Sequence, residues 1–529
     1  MSKKSSMRLS RSRIILLLAV TLCSGPLLIA QHYGLPLDRY TRLHLLRSDT
    51  THHGSFQGLP VNWVGLDTIK GFEQEKRYSV ASNKLYDDHL INIESEDFTA
   101  HIDLLLHLEV GTEQGLDNEY QDTTRMSRNM RGFIVRGDIG QKVSFETSFR
   151  EHQSFLPYYM YLYTQETNVM PGTGRIKPFA TTGRDHSIAE GFVAYAPADW
   201  VNIQFGSQKN FIGSGYRSLL LSDNSYTYPQ VKASFQWFKG KVRYHIIHAW
   251  LQTLSRLPQG DTPESLFVKK NGSFKYLEIR PIEKLSIGLF EGVMWNRFEP
   301  REGPVALDPL AYSPLIGTAA ASIGLDDVRD NVMIGADISA RPIPQLLIYG
   351  QYVLDKEDRD GFQVGARTVD LGVDGLSLGV EYNSVARFTY ANNNIRQNQG
   401  HFGQAIAHPM GAGFDELHVD ITYFYDRWFL RADYSGADQL IDLPDEVDPC
   451  AAGGDIFTTL TCVTDDLDDY KSRLEHLDIR VGKMFNPRSN FNAYIGWMFR
   501  ERNGAWPEQK QSYFKFGVEM SLFNSYEDF

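Results

Sequence analysis

Near the end of the chain Phe514, Phe516, Val518, Met520 and Leu522 alternate with Lys515, Gly517, Glu519 and Ser521, and Tyr513 opens the second set. A two-residue period puts the first set on one face of a strand and the second on the other. The apolar face needs hydrocarbon or a core, and the polar face needs water. From Phe98 onward the same design returns: Ala100, Ile102, Leu104, Leu106, Leu108 and Val110 alternate with His101, Asp103, His107 and Glu109. Between these two strands the period predicts others, most clearly at 201–205, 231–237, 285–289, 332–338, 417–423, 428–434, 477–481 and 491–499.

The connections separate the possible folds. Gly, Pro, Asn and Asp chemistry predicts tight turns at 140–141, 197–198, 239–240, 281–282, 342–344, 374–375, 426–427 and 487–488. Long polar connections lie between them, at 112–130, 151–185, 207–228, 296–330, 385–412 and 437–473, with a short one at 356–360. A β-sandwich gives no reason for every second connection to be long. A barrel with short periplasmic turns and long extracellular loops requires it. The prediction is an all-β chain forming a closed antiparallel transmembrane β-barrel of about 18 strands, with both ends on the periplasmic side. Trp200, Trp237 and Trp428 beside short turns, and Trp250 and Trp295 beside long loops, are the expected interfacial girdles.

Three segments follow. Residues 1–30 read as a signal peptide: Lys3, Lys4, Arg8, Arg11 and Arg13 precede an apolar run over 14–22, with Ala30 as the small residue before cleavage. Residues 31–95 carry poor strand signals and read as a periplasmic or plug-like segment, with Leu37, Tyr40, Leu43, Leu45 and Leu46 spaced for a short helix. Residues 96–529 form the barrel. Past the leader no apolar run approaches the ~18 residues a membrane helix needs. The expected location is the outer membrane of a Gram-negative bacterium.

Composition adds two constraints. The formal net charge of −12 excludes nucleic acid as a partner and means that any site for an anionic polymer is local. Of three cysteines, Cys23 is expected to leave with the leader, because the residues before it lack the small side chain of a lipoprotein site. Cys450 and Cys462 then most simply form one disulfide in an exported loop. The acidic loop around them lacks the spacing of a calcium loop, and two cysteines are too few ligands for a metal.

Pro157-Tyr158-Tyr159, then 170–177 (Met-Pro-Gly-Thr-Gly-Arg-Ile-Lys), then 206–224 (Gly-Ser-Gln-Lys-Asn-Phe-Ile-Gly-Ser-Gly-Tyr-Arg-Ser-Leu-Leu-Leu-Ser-Asp-Asn) carry a resemblance. The run from Gly206 to Asn224 resembles the Wzi-type capsule-assembly family of outer-membrane barrels, in the form met among gliding-bacterium surface proteins. The resemblance implies a monomeric barrel of eighteen strands that holds or organises surface polysaccharide without catalysis. The family's N-terminal helical bundle is not readable in residues 31–95.

Aromatic faces with hydroxyl tips suit sugar rings. Tyr158, Tyr159 and Tyr161 stand in one long connection with Arg175, Lys177 and Arg184 at its far side, and Lys209, Tyr216 and Arg217 stand in the next. Together these nine are the expected polysaccharide-binding patch, basic and aromatic within an acidic protein. Gly213-Ser214-Gly215 lacks the ending of a phosphate loop and is expected to fold its loop sharply, inward over the lumen. The inward strand faces carry charges of both signs, among them Asp103, Glu109, Asp337, Glu416, His418, Asp420, Asp433, Asp478, Arg480, Arg500 and Lys515, which predicts cross-strand pairing and a narrow or plugged interior. No spacing singles out a Ser-His-Asp set, so no catalysis and no cofactor are expected. A porin or substrate-specific channel, and an accessory barrel of a secretion or gliding-motility complex, are the alternatives. The expected partners are surface polysaccharide, outer-membrane lipid and envelope export or motility proteins.

Overall fold

The computed structural model describes residues 33–34, 38–48, 60–61, 79–116, 118–256, 267–299, 303–306, 308–325, 330–442, 450–458, 462–504, 509–521 and 523–529. The expected leader, Leu37 and most of 49–78 lie outside the described residues.

Eighteen antiparallel strands close into a barrel. In chain order they are β1 Phe98–Gln114, β2 Met126–Ile139, β3 Val143–Phe155, β4 Gly183–Ala198, β5 Val201–Gln208 and β6 Tyr228–Trp237. Then come β7 Val242–Arg256, β8 Phe267–Ile282, β9 Leu285–Asn296, β10 Asp330–Ile343, β11 Leu346–Lys356 and β12 Arg359–Val369. The last six are β13 Leu376–Val385, β14 Phe414–Tyr425, β15 Trp428–Leu440, β16 Lys471–Asn486, β17 Phe491–Gly504 and β18 Gln509–Met520. The cylinder closes where the two strands of clearest alternation meet, with Phe516 opposite Val110 and Gly517 opposite Glu109. Leu104, Leu108, Val110, Phe514 and Phe516 are exposed on the outside, while Asp103, Glu109, Tyr513 and Lys515 are buried within. Before β1 a short strand, Ile91–Ser95, pairs onto it as a hairpin.

Four pieces of chain fill the lumen. Helix α1, Arg39–Ser48, lies against the wall through Leu46, which packs on Leu347, Tyr349 and Val369. Arg39 reaches Asp433 on β15 at 2.8 Å, and Arg42 donates to the Gly215 carbonyl at 2.7 Å. The loop 209–227 folds inward, and its Ile212, Leu219, Leu220 and Leu221 pack on Phe274, Met294, Met333 and Val353 of the wall. Gly213 has a φ of 138°, and a Cβ there would stand 2.3 Å from the Gln351 amide. One at Gly215 would meet the Glu381 carboxylate at 2.4 Å. The glycines are thus required by a close approach to the opposite wall. The loop 386–413 covers this plug, with Tyr390 donating to the Leu219 carbonyl and Ser222 N–H donating to Ile406. Finally, residues 523–529 turn back from β18 into the lumen.

One long connection does not stay at its end of the barrel. Residues 308–325, with a short helix at Thr318–Ser322, lie against the outside of β7 to β10. Alternation directs Lys275, Glu291, Val293 and Trp295 outward, yet all four are buried. The strap covers them: Ala320 N–H donates to Glu291 at 3.0 Å, Glu291 pairs with Lys275 at 2.7 Å, and Tyr312 packs edge-on against Trp295. Tyr244, near the short-turn end of β7, donates to the Pro314 carbonyl, so the strap runs far down the wall. Trp200, Trp237, Trp428 and Trp250 are exposed as girdle residues should be, but Trp295 is not. The expectation for Trp295 is corrected by the strap, which takes the place of lipid over it.

Candidate functional site

The loop-side mouth of the barrel holds a cleft of about 670 Å³, within the size range of small-molecule sites. Helix α2, Tyr158–Thr167, forms one wall with Tyr163, Glu166 and Thr167. The ends of β7 and β8 contribute Gln252 and Lys270, the loop 386–413 contributes Asn398, Phe402 and Gln404, and the segment after β15 contributes Asp442, Asp455 and Phe457. Arg500 and Arg502 stand on β17, and Phe529 of the tail closes the floor. Rings and amides therefore face one another across it, the pairing that sugar rings with their hydroxyls require.

Local bonds fix these walls. Lys270 donates to the carbonyl and side-chain oxygens of Asn398 at 2.7 and 2.8 Å, and Asn398 in turn donates to Ile456. Gln404 accepts from Gly172 N–H at 2.7 Å, and Phe402 stacks on Tyr226. The Asp442 carboxylate accepts from the backbone of Ala452, Gly453 and Asp455, and Arg387 holds the Ala452 and Thr464 carbonyls. Cys450 and Cys462 are joined as a disulfide. Replacing both by serine is expected to leave barrel melting nearly unchanged while raising hydrogen exchange across 450–458. Closing a loop of this size is worth ~3 kcal/mol, and that energy acts on the cleft wall alone.

The structure divides the nine residues of the sequence-expected patch. Arg175 and Lys177 are exposed, the first 5.1 Å from the Phe267 ring. Tyr158 and Tyr161 are half-buried around the Tyr120 ring. The others face inward. Tyr159 donates its hydroxyl to the Glu527 carbonyl at 2.9 Å. Arg184 is buried, bonded to Thr164 at 2.9 Å and lying over the Tyr161 ring. Lys209 joins the Gly172 and Asp223 carbonyls, and burial draws its ammonium below the ordinary value. Tyr216 and Arg217 are buried at the centre of the plug. These five are turned inward, each bonding within the loops it anchors.

Arg217 is the hub. Its guanidinium is 1% exposed and pairs with Glu416 at 3.1 Å and Asp528 at 3.0 Å. Burial opposes the charge, but Asp528 and Glu416 more than offset it and raise the group well above its ordinary value. Burial likewise opposes ionisation of Asp528, yet Arg217, His418 and His476 hold it well below the carboxylate range. Glu527, paired with Arg128, is held down to about 2 against the same burial. Tyr526 and Asn524 both donate to Asp223. The tail is thus tied at four of its residues, three to the inward loop 209–227 and one to β2.

One arrangement has the look of a catalytic set. Ser435 lies 2.9 Å from His418 Nδ1 and donates to Asp528 at 2.9 Å. With its proton given to Asp528, Ser435 accepts from His418, the reverse of the polarity that activates a nucleophile. Tyr216 stacks on His418 with 3.7 Å between ring centroids, and both Ser435 and His418 are buried. No substrate carbonyl reaches the hydroxyl.

Among solved structures the chain is similar to Wzi of Escherichia coli, described as a carbohydrate-binding β-barrel involved in group 1 capsule assembly. The TM-score is 0.52 at 12% identity, over 92% of this chain and 98% of that one. The chain has the fold of an outer-membrane β-barrel. It is also similar to OprD of Pseudomonas aeruginosa, with a TM-score of 0.42 at 11% identity over 82% of this chain and 98% of that one. For OpdQ of the same organism the values are 0.40, 9%, 80% and 97%. These two superpose too loosely to add to the fold assignment. No family model matches the chain, and no curated protein matches it.

Proposed function

We propose that this is a non-enzymatic outer-membrane barrel of a Gram-negative bacterium that binds, anchors or assembles surface polysaccharide at its loop-side cleft. The observation that carries the reading is the cleft itself: rings of Tyr163, Phe402 and Phe457 and amides of Gln252, Asn398 and Gln404 above a lumen filled by folded loops. A filled lumen suits holding a polymer at the surface. The exposed Arg175 and Lys177 are rim contacts in this reading, and Tyr158 and Tyr161 lie behind them. Wzi is described as carbohydrate-binding, and that description agrees with the proposal.

Tyr163→Ala and Phe402→Ala are each expected to lower retention of surface polysaccharide on immobilised barrel several-fold, since a ring stacked on a sugar contributes ~1 kcal/mol. Heat-modifiability on gels should be unchanged. Full retention by the double variant would remove the cleft as the glycan site.

A second reading, a gated channel, rests on another observation. A smaller pocket of about 190 Å³, lined by Arg39, Arg128, Lys209 and Asp433, lies on the other side of the tail and shares Pro171 with the cleft. Phe529 belongs to the upper space, and Asn524, Glu527 and Asp528 to the lower. The tail is what stands between them.

A further inference from the structure

Most lumen arginines near the cleft have acidic partners. Arg128 pairs with Glu527 and Glu109, Arg480 with Asp478, and Arg217 with Glu416 and Asp528. Arg500 and Arg502 differ. Among the described residues neither pairs with a side-chain carboxylate, although Arg500 is 2% exposed. Arg500 holds one hydrogen bond, to the main-chain oxygen of Phe529 at 3.3 Å, and lies 4.4 Å over the Tyr159 ring. Among the described residues its Nε and Nη1 have no acceptor, nor has Nε of Arg502. A buried N–H donor left without an acceptor is costly.

The two arginines occupy alternate positions on β17, so both side chains point into the barrel about 7 Å apart along the strand. Both line the cleft. The other charged groups there are already engaged or lie at the rim. Lys270 is bound to Asn398, and the Asp442 carboxylate is held by three backbone N–H groups. Asp455 accepts from Phe457 N–H and is exposed. Glu166 is exposed on α2, where burial of its carboxyl raises its pKa and Arg502 opposes that rise.

From this juxtaposition we infer that Arg500 and Arg502 form an anion subsite at the floor of the cleft, which takes the acidic substituent of a glycan, a carboxylate or a phosphate on one sugar residue. Guanidinium forks match either group through paired N–H donors. The sugar ring then lies between Tyr163 and Phe402, and its charge lies against the strand. The inference rests on the cleft being the glycan site and adds which glycans it selects.

The test uses the full-length barrel in detergent, with binding of oligogalacturonate and of a neutral malto-oligosaccharide measured by calorimetry. At low salt the acidic oligosaccharide should bind at least about tenfold more tightly, and this preference should shrink as salt is raised. Arg502→Gln should remove most of the preference, lowering acidic binding by a larger factor than neutral binding. Arg500→Gln should do the same, and if that variant fails to fold, Arg502→Gln nearer the mouth carries the test alone. Glu166→Gln, which removes a carboxylate acting on Arg502, should strengthen acidic binding a few-fold. Competition by glucuronate or by glucose 1-phosphate tells which acid is taken, and success of either supports the subsite. Equal binding of the acidic and neutral sugars, unchanged in Arg502→Gln, would overturn the subsite and leave the cleft standing. Absence of binding by both sugars, with Tyr163→Ala and Phe402→Ala silent on native polysaccharide, would overturn the cleft reading beneath it.

Discussion

Arg217→Ala is expected to lower the thermal stability of the barrel more than any other single exchange considered for the plug, by about 3–5 kcal/mol. Its guanidinium faces two carboxylates in a place that water does not reach. Removing it leaves Glu416 and Asp528 buried and close together, each without its main counter-charge. The double variant Arg217→Ala/Asp528→Ala should recover part of the loss, because it takes away one of the stranded charges; this separates charge imbalance from lost packing. An exposed pair is the control. Lys471 and Asp468 lie 2.8 Å apart on the surface, and Lys471→Ala should leave the melting temperature where it was. Acid should act through the same tail. Folded values of Asp528 and Glu527 lie below their ordinary ones, so their contribution is fully present above the ordinary carboxylate range and is lost as pH falls through the folded values. For Glu527 that interval runs from 4.5 down to about 2. The tail should therefore remain docked at mildly acid pH, as intrinsic fluorescence near Tyr526 and Tyr216 or proteolysis of the tail can follow.

How much of this was legible in the chain depended on what sets each feature. Alternation and turn chemistry are local, so β1, β18, the eight short turns to within two residues and the long connections between them follow from neighbours in sequence. The inward fold of 209–227 was legible from Gly213 and Gly215, since only a close approach explains two such glycines beside Tyr216 and Arg217. The strap was not. Lys275 and Glu291 look like interruptions of an apolar face, and only contact with residues 308–325 makes them a buried pair. In β8 the result is burial on both faces from Lys270 to Tyr276, which hides the two-residue period. The expected glycan patch is divided for a related reason. Tyrosines and cations in loops read as surface, but Tyr159, Arg184 and Arg217 belong to loops that turn inward, and their hydroxyls and guanidinium groups hold those loops together. Arg500 was placed on the inner wall by its position in the strand. That no side-chain carboxylate among the described residues pairs with it is a statement about β17, α2 and the tail together, and no stretch of sequence holds it.

The tail, Asn524 to Phe529, reads as a polar extension after the last strand, yet it is where the two functional readings part. A barrel lacking residues 524–529 should still close, because β18 pairs with β1 through residues before the tail and Arg128 and Arg217 keep Glu109 and Glu416 as partners. What it loses is the divider between the cleft of about 670 Å³ and the pocket of about 190 Å³. If the tail is the seal, planar-bilayer conductance should rise from near zero to a stable open level. The open state should prefer anions, since the acids removed, Glu527 and Asp528, are those that balance Arg128 and Arg217. Glu527→Gln/Asp528→Asn keeps the chain length and weakens the two charged anchors, so it should give brief openings of the same conductance; this variant also separates gating from any part the tail has in assembly. Should the truncated barrel stay silent, the loops 209–227 and 386–413 seal the lumen without help. The channel reading then fails, and the tail acts only as a brace for the floor on which a glycan rests.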